Sequence, residues 1–206
     1  VTPVVVGITG ASGIAYSVRL VQSLLDGGRD VHLIISDAAR LVIKEELHIS
    51  LKSLVRSDCL QEVFGVHSPG RLTAFSPKDF TAPVASGSYP VAGMIVIPCS
   101  MGTLGALASG LSQNLIHRAA DCVIKEGRKL VVVPRETPLS AIHLENMLKL
   151  ARLGVRIVPA MPAFYSGAST VSEMVDFLVG KVLDQLEIPH ALYPRWTGSL
   201  ERAMES

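Results

Sequence analysis

The stretch VVVGITGASG, residues 4–13, decides the fold. It opens as a short β-branched apolar run, Val4 to Thr9, and ends in Gly10-Ala11-Ser12-Gly13. Apolar residues then recur at Val18, Val21, Leu24 and Leu25 with helical spacing, so the text reads as strand, tight turn, helix. Gly27-Gly28 stops that helix, Val31 to Ile35 (VHLII) makes a second buried strand, and Ser36-Asp37 caps a helix running to about His48. Further along, Met94 to Ile97, Leu130 to Val133 and Val155 to Val158 read as three more buried strands. Helical stretches around Leu104 to Lys125 and Ser140 to Leu153 separate them, and a last helix spans about Val171 to Leu186. Strands apolar on both faces that alternate with helices imply a parallel sheet covered on each side, a doubly wound α/β fold.

The 206 residues suit one domain, 1–206, with an irregular insertion at about 51–90, rich in Ser, Pro and Gly, and a C-terminal tail from about 189 to 206. Weak periodicity within the insertion leaves room for one short helix near Leu60. At 49% hydrophobic residues the chain can bury a real core, and disorder is excluded. Nineteen Lys+Arg against 18 Asp+Glu, without a basic cluster, argue against a grip on nucleic acid. Three cysteines, Cys59, Cys99 and Cys122, form no CxxC pair, so neither a disulfide framework nor a structural metal site is expected. Glycines and Pro3 interrupt the uncharged N-terminus and no basic segment precedes it, which predicts neither signal peptide nor anchor and a cytoplasmic protein. From Phe80 to His117 there is no Asp, Glu, Lys or Arg, yet Pro83, Pro90 and Pro98 break the run. Such text suits a buried site or a subunit interface, not a membrane helix.

Ligands of doubly wound folds sit beyond the C-terminal strand ends. Gly7-x-x-Gly10-x-x-Gly13 there is either a phosphate-binding turn or a plain tight turn, and it is neither the GxGxxG fingerprint nor a P-loop. Ser12 can orient a ring or phosphate, or cap the helix that follows. In Pro98-Cys-Ser-Met-Gly-Thr103, Ser100 and Thr103 are placed to cap the next helix and to bond a phosphate or ring edge. Arg135-Glu136 directly follows a buried strand and reads as part of a site, whereas Lys125, in Lys125-Glu126-Gly127-Arg128, reads more readily as an ordinary polar helix end. His143 and Glu145 face different directions on their helix and make no acid–base pair, and Asp37 is a loose candidate for a ribose contact. No acidic magnesium-diphosphate motif, nucleophile elbow or HExxH occurs.

Taken together, GITGASG (7–13), ISDAA (35–39), ASGS (85–88), PCSMGTL (98–104), NLIHRAADCVIKE (114–126), VPRETPLSAIHLENMLKLARLG (133–154), PAMPAFY (159–165) and LYPRW (192–196) resemble the UbiX family of flavin prenyltransferases in the family's order. The resemblance implies a metal-independent transfer of a dimethylallyl group from dimethylallyl monophosphate to N5 and C6 of reduced FMN, giving prenylated FMN for a UbiD-type decarboxylase. It implies that Gly10, Ala11, Ser12, Ser36, Ser100, Met101, Gly102, Thr103 and Arg135 hold FMN. It places Ser86, Arg118, Lys125, Glu136, Tyr165 and Lys181 around the prenyl phosphate, with Glu46, Ser12, Lys125 and Glu136 as the catalytic set and proton handling assigned to Glu46. It further implies a homo-oligomer, a dodecamer, whose sites are shared between subunits, with Trp196 covering a neighbour's site. Lys181 stands where many members carry Arg, and Phe80 where some carry Trp. The competing readings are a flavin-dependent decarboxylase of the cysteine-decarboxylase type and a non-catalytic flavin carrier. The first lacks its loop, since PCSMGT stands there and His67 lies in no matching motif. The second has no use for Glu46, Lys125 and Tyr165 together.

Overall fold

A computed structural model of the chain describes residues 2–49, 60, 63–64 and 69–195. Six parallel strands form one sheet: β1 (Val4–Ile8), β2 (Val31–Ile35), β3 (Leu72–Phe75), β4 (Gly93–Cys99), β5 (Leu130–Pro134) and β6 (Arg156–Ile157), in the spatial order β3-β2-β1-β4-β5-β6. The helices are α1 (Ile14–Asp26), α2 (Asp37–Leu47), α3 (Met101–Ala108), α4 (Leu115–Lys125), α5 (Ala141–Arg152) and α6 (Val171–Gln185), with 3-10 turns at Pro83–Ala85 and Phe164–Ser166.

Side chains alternate across the sheet and sort the helices into two layers. Val4, Val6 and Ile8 of β1 pack in one apolar cluster with α1, α2 and α6. Val5 of the same strand joins the other cluster, with α3, α4 and α5. Every residue of β1, β4 and β5 is buried, which is why these strands lack a polar alternation in the text. Polar N-caps set where the helices begin. Ser36, Ser100, Asn114, Ser140 and Thr170 each accept from a backbone N–H three residues on, and Ser140–His143 and Thr170–Glu173 complete capping boxes. His143 thus has a structural place.

Three readings need correction. The described part of 51–90 is not wholly irregular, because Leu72–Phe75 pairs in register with β2 as an edge strand. Its residues are only half-buried, so it lacks the continuous apolar run that marks the central strands. The helical stretch from 104 to 125 is two helices, parted at Gly110, whose φ of 68° suits glycine, and restarted by the Asn114 cap. The expected strand Val155 to Val158 shrinks to Arg156–Ile157 at the other edge.

The tail from Ile188 to Arg195 folds back on α6. Gly180 has no space for a Cβ, which would lie 2.4 Å from Tyr193 Cε1 and 2.6 Å from His190 Cε1. Asp184 then accepts from the Tyr193 hydroxyl at 2.8 Å, from both terminal nitrogens of Arg195 at 2.7 Å, and from His190 Nε2 at 3.2 Å. Trp196, Cys59 and His67 lie outside the described residues, as does most of the expected helix near Leu60. No helix among the described residues is long and apolar enough to cross a membrane.

Candidate functional site

The chain leaves β1 toward β2 on one side and returns through β4 on the other, so the loops after these two adjacent strands diverge and open a crevice. Thr9 ties the loops together at the base of the crevice. Its hydroxyl donates to Pro98 O at 2.7 Å and accepts from Ser100 N–H at 2.8 Å. Thr9 escaped the sequence reading because it looked like the polar end of a strand. Gly10 brings the first turn against α2, where a Cβ would come within 2.5 Å of Ala38 Cβ. Gly13 is the N-cap of α1 at φ 107°, a left-handed conformation that a side chain would strain, so Ser12 is not the helix cap. Gly10 and Ser12 face solvent and Ala11 is buried behind them.

The cap of α1 comes from elsewhere in the chain. Glu46, near the end of α2, accepts from Gly13 N–H at 2.9 Å and from Ile14 N–H at 2.8 Å. Partial burial works to raise its pKa, but the hydrogen bond from Ser12, the two N–H groups and the nearby Arg135 guanidinium outweigh it and hold the carboxyl below the ordinary glutamate value. The anion seat at the N-terminus of α1 is therefore filled by the protein's own carboxylate. No sequence pattern links residues 46 and 13, and only the packing of α2 beside the first turn brings them together.

Arg135 leaves β5 at the same crevice, its N–H donating to Cys99 O at 3.3 Å, and its Nε is buried without a partner among the described residues. A buried donor left unpaired is costly, which fits a group that accepts from it when ligand is bound. After the neighbouring strand β4, Ser100 and Thr103 begin α3, with their hydroxyls 3.2 Å apart, and open space lies over Gly102. Met101 and Gly102 supply first-turn N–H groups that have no partner within the helix. The residues fit a phosphorylated isoalloxazine: turns and hydroxyls that admit a ring edge, helix-terminal N–H groups for phosphate, and the unpartnered Nε of Arg135. Burial pushes the Cys99 thiol up to about 12, so it stays protonated and is no nucleophile. Asp37 is engaged by Lys78 at 3.7 Å and by Arg40 at 4.0 Å, at the exposed start of α2. Glu136 is exposed and accepts from Thr137 N–H at 3.0 Å.

The remaining candidates form separate groups. On α4, Arg118 donates from Nε to Ala85 O at 2.9 Å and pairs with Asp121 at 2.9 Å, while Lys125 at the helix end pairs with Glu126 at 3.4 Å. Ser86 follows the 3-10 turn packed on this helix and bonds Ser88, with the two hydroxyls 2.8 Å apart. Ser86, Arg118 and Lys125 are thus brought together. Lys181 is exposed on α6, in the other helical layer, so the sheet separates it from Arg118 and Lys125 within one chain. Tyr165 lies in the turn Phe164–Ser166, with its side chain outside the description. Among the described residues no hydrogen bond or ion pair joins either group to the crevice. Phe80 is 48% exposed, and Met161, Phe164 and Val171 stand 66%, 82% and 77% exposed on the loops and helix start after β6.

A strand-end crevice of turns and capping hydroxyls, with Arg135 Nε buried and without a partner among the described residues, is the layout of a doubly wound protein that holds a phosphorylated ligand. The profile described as Flavoprotein matches residues 1–183. Flavin prenyltransferase UbiX of Halalkalibacterium halodurans is 53% identical over 191 residues, covering 93% of this chain and 91% of that protein. The structure of the dodecameric FMN-dependent UbiX-like decarboxylase of Escherichia coli superposes with a TM-score of 0.84 at 43% identity, over 96% of this chain and 100% of that one. AnUbiX in complex with FMN and dimethylallyl pyrophosphate gives the same TM-score at 37% identity, over 96% of this chain and 98% of that one. The chain belongs to the Flavoprotein family and, within it, to the UbiX flavin prenyltransferases.

Proposed function

We propose that this chain transfers the dimethylallyl group of dimethylallyl monophosphate to N5 and C6 of reduced FMN, without a metal, and passes the prenylated flavin to a UbiD-type decarboxylase. The observation that carries the reading is the crevice itself, where Arg135, directly after β5, has an Nε that is buried and without a partner among the described residues and a charge close enough to act on Glu46. No group of His, Cys, Asp or Glu suited to a metal ion occurs among the described residues.

Reduced FMN supplies the nucleophilic N5 and C6 positions. Gly10, Ala11, Ser12, Ser36, Ser100 to Thr103 and Arg135 hold and orient it. Arg118, Lys125, Lys181, Ser86 and Tyr165 surround the donor phosphate, and their cations and hydroxyls stabilise the charge that collects there as the carbon–oxygen bond breaks. The bonding pair leaves with phosphate. N5 would bond the carbon that loses phosphate and give up its proton, the allylic double bond would take up one proton as its far carbon bonds C6, and Glu46, ionised and fixed on α1, would accept the proton that C6 releases, the net proton leaving with phosphate. Glu136, exposed after β5, borders the donor seat.

Because the sheet separates Lys181 from Arg118 and Lys125, one phosphate meets all three only when they come from different chains. We therefore read the active form as a homo-oligomer, a dodecamer, with residues 1–206 as one flavin-binding domain and the exposed apolar residues after β6 at subunit contacts. A cytoplasmic setting accompanies this reading.

Anaerobic incubation with reduced FMN and dimethylallyl monophosphate, followed by mass measurement of the extracted flavin, tests the proposal. A flavin heavier by one dimethylallyl unit is expected, and recovery of FMN alone at full donor saturation would overturn the reading.

A further inference from the structure

Residues 85–89 present two hydroxyls outward and three main-chain carbonyls inward. Ser86 and Ser88 are exposed, while Ala85 O accepts from Arg118 Nε at 2.9 Å and from the Cys122 thiol at 3.3 Å. The other two carbonyls belong to one side chain. Arg128, just past the end of α4, donates from Nη1 to Tyr89 O at 2.8 Å and from Nη2 to Gly87 O at 3.0 Å. Between them Gly87 lies hard against the helix end, where a Cβ would meet Glu126 Oε1 at 2.3 Å and Lys125 Cε at 3.1 Å.

A seat for an anion needs donors turned toward it and acceptors turned away, because each carbonyl oxygen carries partial negative charge and repels phosphate at short range. A forked guanidinium satisfies two carbonyls two residues apart at once. A lysine offers one compact charge and cannot span both in the same way. The loop is also tied to the helix that carries the cations, since Lys125 lies one turn before Arg128 and Arg118 holds the first carbonyl of the same loop.

We propose that Arg128 is a positioning residue for the donor phosphate: by locking the Gly87 and Tyr89 carbonyls on the protein side, it aims the Ser86 and Ser88 hydroxyls at the phosphate beside Arg118 and Lys125. This inference rests on the reading of Ser86, Arg118 and Lys125 as the donor's phosphate seat. Arg128 itself touches neither donor nor flavin.

The test uses the full oligomeric protein. Donor binding is measured calorimetrically on enzyme loaded with oxidised FMN, where no turnover occurs, and donor KM and kcat are measured with reduced FMN. Arg128→Ala should raise the donor Kd and KM about tenfold while leaving FMN affinity unchanged and kcat within about twofold. Arg128→Lys, which keeps the charge and serves as the folded variant should the alanine form not assemble, should share the weakened donor binding. Adding Arg128→Ala to the pair Ser86→Ala and Ser88→Ala should cost little beyond what that pair already loses, because Arg128 acts through the placement of those two hydroxyls. Wild-type donor KM in Arg128→Lys, or a further loss as large as that of Arg128→Ala alone when it is added to the serine pair, overturns the proposal. The reference variants Ser86→Ala and Lys125→Ala separate the two levels. If they raise donor KM and the Arg128 variants do not, the positioning role alone fails. If none of them changes donor KM, the phosphate seat fails with it.

Discussion

The Glu46 carboxylate closes the first turn of α1 by accepting from Gly13 N–H at 2.9 Å, across 33 residues of sequence. This structural duty at the helix stands beside the proton-handling role proposed for the same side chain at the flavin. The amide of Glu46→Gln keeps the shape and one acceptor oxygen but gives up the charge that the helix N-terminus favours.

Glu46→Gln should bind FMN and donor and lose or stall the transfer, because it cannot take up the ring proton. Mass measurement of the extracted flavin checks this, and normal yield of prenylated FMN removes the assigned role. The same variant has a pH signature. The folded-state pKa of Glu46 lies below its unfolded value near 4.5, so its contribution to stability is fully present above that pH and disappears as pH falls through the lowered value. Urea midpoints should accordingly decline more steeply below about pH 4.5 in wild type than in Glu46→Gln, and parallel curves would count against the helix-capping duty.

Subunit mixing addresses the placement of the cations. Lys125→Ala and Lys181→Ala should each be impaired as pure oligomers. Co-assembled from equal amounts of the two chains, about a quarter of the sites draw an intact Lys125 from one chain and an intact Lys181 from another, and activity should return in that proportion. Mixed oligomers no more active than the average of the parents would place both residues in one chain's site.

At position 181 the side-chain head is the variable. Lys181→Ala should raise donor KM with FMN affinity unchanged, by roughly tenfold for the loss of one charge-assisted contact. Lys181→Arg should preserve or tighten donor binding, since a fork can meet two phosphate oxygens. Steady-state kinetics over donor concentration decides, and donor dependence unaltered in Lys181→Ala removes this residue from the phosphate.

The tail clasp is open to test by hydrogen exchange. Asp184 accepts chiefly from Arg195, an effect that exceeds its partial burial and, with Tyr193 and His190, holds its carboxyl well below the usual aspartate range. Asp184→Asn should free residues 188–195 and speed their amide exchange while the sheet stays protected. Because the folded pKa is depressed, the wild-type clasp persists at neutral pH and weakens only in strong acid, below the ordinary aspartate value. Equal exchange of the tail in both proteins would mean that the ion pair does not hold it.

Strand and helix types and the parallel sheet were legible in the text because each rests on local patterns. β1, β4 and β5 are buried on both faces and so are written as unbroken apolar runs. Ser36 and Ser100 announce their helices because a cap is a contact across three residues. β3 was not legible, since a half-buried edge strand has no such run. Neither was the break between α3 and α4, where a lone glycine competes with a continuing helical pattern.

The site divides in the same way. Arg135 stood out in sequence as a charge directly after a buried strand, but that its Nε is buried without a partner among the described residues is a property of the tertiary structure. The family resemblance implied that Arg118, Lys125 and Lys181 surround the prenyl phosphate and that Glu46 stands near the flavin. Only the tertiary structure seats Glu46 on α1, gathers Ser86, Arg118 and Lys125 beside a loop clamped by Arg128, and sends Lys181 to the opposite helical layer. The physical reason is range: hydrophobic period and capping act over a few residues and are written into the chain order. Which carboxylate fills a helix end, or on which side of a sheet a lysine stands, is settled by contacts between segments far apart in sequence.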